Sequence, residues 1–210
     1  MRINADFTKR VAVHFNENDW VASPSPGVER KMLDRIGEEV ARATTIVRFA
    51  RGSSFAPHTH DGGEEFLVLD GVFQDETGDF PAGSYVRNPP TTSHTPSATD
   101  GATILVKLHQ FDPDDRTEVR KSIAGKGQVH LFKDAREDVR VLRWEPGEVV
   151  ELDGSKGIEV FVIEGGFEES GENFFAWDWL RMPPGSRLTA TAAGQGALVW
   201  VKSGHLSDMI

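Results

Sequence analysis

An all-β fold follows from two observations on this 210-residue chain. Short runs of β-branched and aromatic residues recur between Gly and Pro breaks, and one segment repeats itself about 95 residues further on. Strands this short at regular spacing suggest a sandwich or barrel.

Arg10-Val-Ala-Val-His-Phe15 and Ala43-Thr-Thr-Ile-Val-Arg-Phe49 read as strands. Val28 to Arg42 has a helix-like pattern but contains Gly37. A hairpin suits it better: Arg30-Lys-Met-Leu-Asp, a turn at Arg35-Ile-Gly37, then Glu39-Val-Ala-Arg. Phe66-Leu-Val-Leu69 is a strand that Asp70-Gly71 ends, and Thr103-Ile-Leu-Val106 is another. In the second half, Val139-Arg-Val-Leu-Arg-Trp144 and Gly196-Ala-Leu-Val-Trp-Val201 follow. Trp144, Trp177, Trp179, Phe174 and Phe175 are expected in its core, the usual place of strand aromatics.

Metal-ligand chemistry concentrates in Gly52-Ser-Ser-Phe-Ala-Pro-His58-Thr-His60-Asp-Gly-Gly-Glu64, with His94 closing the later run Asn88-Pro-Pro-Thr-Thr-Ser-His94. Residues i and i+2 of an extended strand share a face, so the imidazoles of His58 and His60 can converge on one ion. Asp61-Gly62-Gly63 supplies a turn that folds Glu64 back beside them. Pro81, Gly83, Pro89 and Pro90 punctuate the segment that delivers His94. Three imidazoles and a carboxylate suit Zn²⁺, Fe²⁺, Mn²⁺, Ni²⁺ or Cu²⁺ rather than the all-oxygen sets of Mg²⁺ and Ca²⁺. A lone histidine is ordinarily a polar edge residue, and His14, His109, His130 and His205 are read so.

These motifs resemble those of the cupin superfamily. Gly-x5-His-x-His-x3-Glu-x6-Gly, then Pro-x-Gly and a later His, looks like its paired motifs. The fuller wording His-Thr-His-Asp-Gly-Gly-Glu-Glu-Phe-Leu-Val-Leu-Asp-Gly, Pro-Ala-Gly-Ser-Tyr-Val-Arg-Asn-Pro-Pro and Ser-His-Thr-Pro-Ser is similar to the ChrR-like cupins over about residues 20 to 110. The resemblance implies a double-stranded β-helix, the jelly-roll barrel, holding a metal inside. It also implies pairing of barrels, so a homodimer is expected. Glu64 is favoured over Glu65 as the carboxylate, since its six-residue interval to Gly71 fits the motif and it shares a face with Phe66 and Val68. Tyr85 and Arg87 lie on the strand leading to His94, with their facing left open.

The repeat extends the reading to two tandem barrels, a bicupin. At an offset of 95, Gly52 falls on Gly147, Glu64 on Glu159, Phe66 on Phe161 and Gly71 on Gly166. At 94, Arg87-Asn-Pro-Pro becomes Arg181-Met-Pro-Pro. The ligands do not repeat: His58 falls on Asp153, His60 on Ser155 and His94 on Leu188, leaving Glu159 alone. The expected organisation is a metal-binding barrel over residues 1–114 and a degenerate barrel without metal ligands over 115–210, with a linker within Phe111 to Lys121.

Composition narrows the partners. The chain has 33 acidic and 23 basic residues, a net charge of −10, which argues against nucleic acid or an anionic membrane surface. No cysteine is present, so disulfides and thiolate zinc sites are excluded. The N-terminus has no apolar signal core and no run approaches the ~18 apolar residues that span a bilayer, so a cytoplasmic location is expected.

Two functions lead, with a purely structural metal in a barrel without chemistry as a third reading. One is a non-haem metal-dependent dioxygenase: one divalent ion per chain, zinc or iron first and nickel or manganese next, binds a small dicarbonyl-like molecule in the N-terminal barrel and O₂ attacks the activated carbon. The similarity to acetylacetone-dioxygenase-like proteins supports it. The other is a zinc-binding sensor or regulatory module resembling the cupin of a ChrR-type anti-sigma factor, without that factor's sigma-binding domain.

Overall fold

The structure, a computed structural model, describes residues 1–209 except 39 and 126, and only the backbone of Asp208. Among the described residues it is all-β, with one 3₁₀ turn at Ser207–Met209. Among the described residues no helix is long and apolar enough to cross a membrane. Two compact units form, one of Met1–Ala5 with Glu17–Ala124, the other of Asp6–Asn16 with Gly125–Ile210.

In the first unit an antiparallel sheet runs in the order Arg2–Ile3, Val28–Gly37, Ala41–Phe49, Ala102–Leu108, Glu64–Asp75, Ser84–Asn88, Val119–Ser122. The alternation of Glu64, Phe66 and Val68 sets one face of the long strand inward. There Phe66 and Val68 pack with Phe49, Phe73, Ile104 and Val106 in the apolar core. The expected hairpin forms, but its turn comes later. Arg35 and Ile36 still pair in the ladder, and Gly37 opposes Ala41. Gly37 has φ 120°, and a Cβ there would lie 2.5 Å from the Val40 carbonyl, so only glycine closes this turn. The expected Glu39 start of the return strand lies outside the described residues.

Gly71 bends its strand rather than ending it. Its φ is 72°, its missing Cβ admits the Gly101 carbonyl, and the strand continues to Asp75 past an irregularity opposite Thr103 and Ile104.

The second unit orders its strands Gln128–Lys133, Asp138–Trp144, Ser186–Ser203, Ile158–Glu169, Trp179–Met182, Val11–Val13. Two boundaries therefore differ from the expected break after residue 114. Val119–Ser122, expected in the linker, pairs with Ser84–Asn88, so the first unit runs on to Ala124. Val11–Val13 pairs with Trp179–Met182, so an N-terminal strand belongs to the second unit. Trp144, Phe174 and Trp179 are buried as expected. Trp177, at φ 71°, is half-buried with its ring edge-on to Phe15, and Phe175 is exposed.

The repeat recurs in the structure with a different register. Glu64–Asp75 and Ile158–Glu169 are both twelve-residue strands. Gly71 and Gly165 take nearly the same φ, 72° and 73°, and each admits a carbonyl, of Gly101 and Gly196. Arg87 pairs with Glu65 and Arg181 with Glu159. The offset here is 94, which makes Glu159 the counterpart of Glu65 and Ile158 that of Glu64. His58 opposite His94 corresponds to Leu152 opposite Leu188. The ligand positions in the second unit are thus Leu152, Gly154, Ile158 and Leu188, not Asp153, Ser155 and Glu159. Ile158 and Leu188 lie in its apolar core, with Leu152 packed against it.

Candidate metal centre

The two-residue strands His58–Thr59 and Ser93–His94 form a small ladder with His94 directly opposite His58. The chain then turns through Asp61–Gly63, with Gly63 at φ 75°, into the long strand that opens with Glu64. The result brings His58, His60, Glu64 and His94 together, one donor atom from each lying within 4.8 Å of all the others. Ring centroids are 5.1 Å apart for His58 and His60, 4.9 Å for His58 and His94, and 4.5 Å for His60 and His94. Glu64 Oε1 is 3.5 Å from Nε2 of both His60 and His94.

Each imidazole is tethered through Nδ1. His58 bonds the Ala56 carbonyl at 3.1 Å, His60 the Thr92 hydroxyl at 3.0 Å, and His94 the Asp75 carboxylate at 3.3 Å. Donation from Nδ1–H leaves Nε2 as the free lone pair, the tautomer a metal ligand needs. The partners are themselves held. Thr92 donates its hydroxyl proton to the Pro89 carbonyl, which leaves its oxygen as an acceptor for His60. Asp75 Oδ1 accepts from both the backbone and hydroxyl of Thr77, freeing Oδ2 for His94. Glu64 receives a long hydrogen bond from Asn88 at 3.4 Å, and Asn88 in turn accepts one from Arg120.

The residues fit a transition-metal ion. Nε2 of His60 and of His94 is buried with no hydrogen-bond partner among the described residues, a costly arrangement unless something ligates them. Donors on one tetrahedral ion at ~2.05 Å stand roughly 3.3 Å apart, close to the distances found to Glu64. Burial, with His94 and His58 close by, depresses His60 to about 3, and burial also lowers His94 despite Asp75. Burial raises Glu64 to about 7. Imidazoles that burial keeps neutral at His60 and His94, beside a buried carboxylate, are what a divalent cation relieves.

Glu65 points to the opposite face. It is buried there and accepts a hydrogen bond from Tyr85 Oη at 2.7 Å. Arg87 also turns from the cluster, paired to Asp115 at 2.6 Å and stacked on Phe111. His205, expected at an edge, is buried in the second unit and bonds Glu159 at 2.8 Å, while Trp179 Nε1 donates to the same carboxylate. His14 is half exposed between Asp178 and Glu172, and His130 is exposed beside Asp138.

A cavity of about 460 Å³ borders the cluster. His58, His60 and Glu64 form part of its wall, Val47, Phe49, Phe73 and Ile104 line it, and exposed Ala56, Pro57 and Thr59 form its rim. His109, expected at a polar edge, is half-buried and lines the same cavity. Thr92 and Asp75 are the supporting residues that the sequence motifs leave out. The turn Asp75-Glu-Thr-Gly78 could have drawn attention to Asp75, but nothing marks Thr92.

Solved structures with the same fold include one described as a "putative dioxygenase" from Nostoc punctiforme PCC 73102, 14% identical, covering 99% of this chain and 83% of that one at TM-score 0.68. The Escherichia coli pirin YhhW in complex with nickel(II) is 12% identical, covering 93% and 99% at TM-score 0.70. Escherichia coli YlbA is 11% identical, covering 95% and 92% at TM-score 0.70. At these identities the likeness is one of fold. No curated protein sequence matches the chain. The ChrR cupin-like domain family matches residues 8–112, half of the sequence and all four clustered side chains, and the chain belongs to that family.

Proposed function

We propose that the first unit is a non-haem metal-dependent dioxygenase acting on a small dicarbonyl-like molecule, its one divalent ion held by His58, His60, His94 and Glu64. The observation that carries this reading is the apolar cavity beside the cluster, since a purely structural or closed sensory site needs no chamber there. The neighbour described as a dioxygenase and the neighbour with nickel bound support it at the level of fold and metal use.

When bound, the ion supplies Lewis acidity to a chelating oxygen and, if it is iron, electronic contact with O₂. The chain does the rest. Thr92, Asp75 and the Ala56 carbonyl hold the three rings so that their Nε2 atoms converge. Phe49, Phe73 and Ile104 exclude water, which strengthens each polar contact a ligand makes inside. Asn88 steadies Glu64, which either completes the ligand set or swings aside to admit substrate. We read the second unit as the degenerate barrel of a bicupin.

The test is metal identity on protein purified without oxygen, followed by O₂ uptake with a series of 1,3-diketones. Iron with diketone-dependent uptake supports the enzyme. Zinc with no uptake shifts the reading to the zinc-binding regulatory module.

A further inference from the structure

His109 is the one ionisable side chain lining the cavity, among the described residues, that is not in the metal cluster. It follows the strand Ala102–Leu108 with φ 53°, a left-handed conformation that costs a non-glycine residue about 1 kcal/mol. Two contacts hold it there. Its backbone N–H donates to the Gly63 carbonyl at 3.1 Å, and its ring packs on Gly62, where a Cβ would stand 2.2 Å from Nδ1. Phe111 covers Gly63 in the same way, under the Arg87 guanidinium. The Gly62-Gly63 pair thus serves two purposes: it turns the chain from His60 to Glu64, and it seats His109 at the cavity wall.

The half-buried imidazole lines a largely apolar chamber. Among the described residues no Lys or Arg lines that chamber, and Glu64 is the one acidic residue in its wall. A left-handed backbone, seated on Gly62, that places an imidazole in the cavity wall beside the metal cluster suggests a ligand contact.

We propose that His109 hydrogen-bonds the substrate, orienting a molecule whose other oxygen reaches the metal. The ligand class that fits is uncharged and mainly apolar, with at least two oxygens. Small dianions are disfavoured because no cationic side chain lines the described wall. The proposal rests on the reading of this site as a substrate-binding metal centre.

The experiment uses full-length, zinc-loaded protein and three probes in calorimetric titrations: 1-phenylbutane-1,3-dione, benzohydroxamic acid and oxalate. His109→Gly removes the ring without backbone strain, and His109→Asn keeps a polar side chain that tolerates positive φ. Both variants should keep one zinc per chain. His109→Gly should weaken the two apolar probes about 10-fold, His109→Asn should weaken them less, and oxalate should bind wild type at least about 10-fold more weakly than they do. Unchanged affinity in His109→Gly overturns the proposal while leaving the metal-centre reading intact, and oxalate binding as tight as the apolar probes overturns the ligand class. Hydroxamate binding that His109→Gly weakens, without diketone binding, supports the role of His109 and overturns the dicarbonyl substrate. Binding of neither apolar probe sinks both the proposal and the reading beneath it.

Discussion

His58 and His94 face each other across a two-residue ladder, their ring centroids 4.9 Å apart, although 36 positions separate them in the chain. Backbone pairing, rather than side-chain packing alone, therefore sets the spacing of these two donors. His60 and Glu64 are then added by the turn that follows.

Substitutions separate the two units. His60→Ala should abolish stoichiometric metal binding, since it removes one of the three buried donors and leaves only His94 and Glu64 beside the exposed His58. Asp153→Ala should leave metal content unchanged, because Asp153 occupies the place of Thr59 in the ladder rather than that of a histidine. Elemental analysis of both purified variants decides it.

The support of His94 has a measurable value. Asp75→Asn keeps the size of the side chain but loses the charge that orients the ring. Metal affinity should fall about 10- to 100-fold, read by competition with a chromophoric chelator. An affinity within about 2-fold of wild type would make the contact incidental.

Metal binding should also follow pH through Glu64. Its folded value, raised by burial to about 7, means that below pH 7 a proton must leave before the carboxylate can bind a cation. His60, depressed to about 3, is already neutral through that range. Glu64 should thus add about one log unit of affinity per pH unit between about pH 5 and 7, and Glu64→Gln should remove that increment. The same shift acts on the metal-free protein. A raised carboxylate value costs stability as pH rises from the unfolded value of 4.5 to about 7, with no further loss above it, so metal-free Glu64→Gln should show a smaller decline over that window.

Glu159 and His205 form a buried pair that we expect to be structural. His205→Leu leaves the carboxylate short of a partner, and the unfolding free energy should fall by about 3 kcal/mol with metal content unchanged. Denaturant titration of both metal-loaded and metal-free protein checks this.

The all-β class was legible because alternation and turn residues are local signals, and His58, His60, Glu64 and His94 stood out because their spacing is tied to strand geometry. The register of the second unit was not. A shift of one residue moves every side chain to the other face, so an offset of 95 made Glu159 the image of Glu64 when the pairing makes it the image of Glu65. Ile158 then fills with an apolar side chain the place where the first unit has a carboxylate. The strand Val119–Ser122 carries no such signal, being short, charged and largely exposed. Val11–Val13 was legible as a strand, but its partner lies about 170 residues away and no local pattern names it.

The most direct test of a single metal centre in the first unit is the metal stoichiometry of the full chain, measured by elemental analysis after purification without oxygen or chelating tags. One divalent transition metal per chain is expected, lost in His60→Ala and kept in Asp153→Ala. Two metals per chain, or one that survives loss of His58, His60 and His94 together, would contradict it.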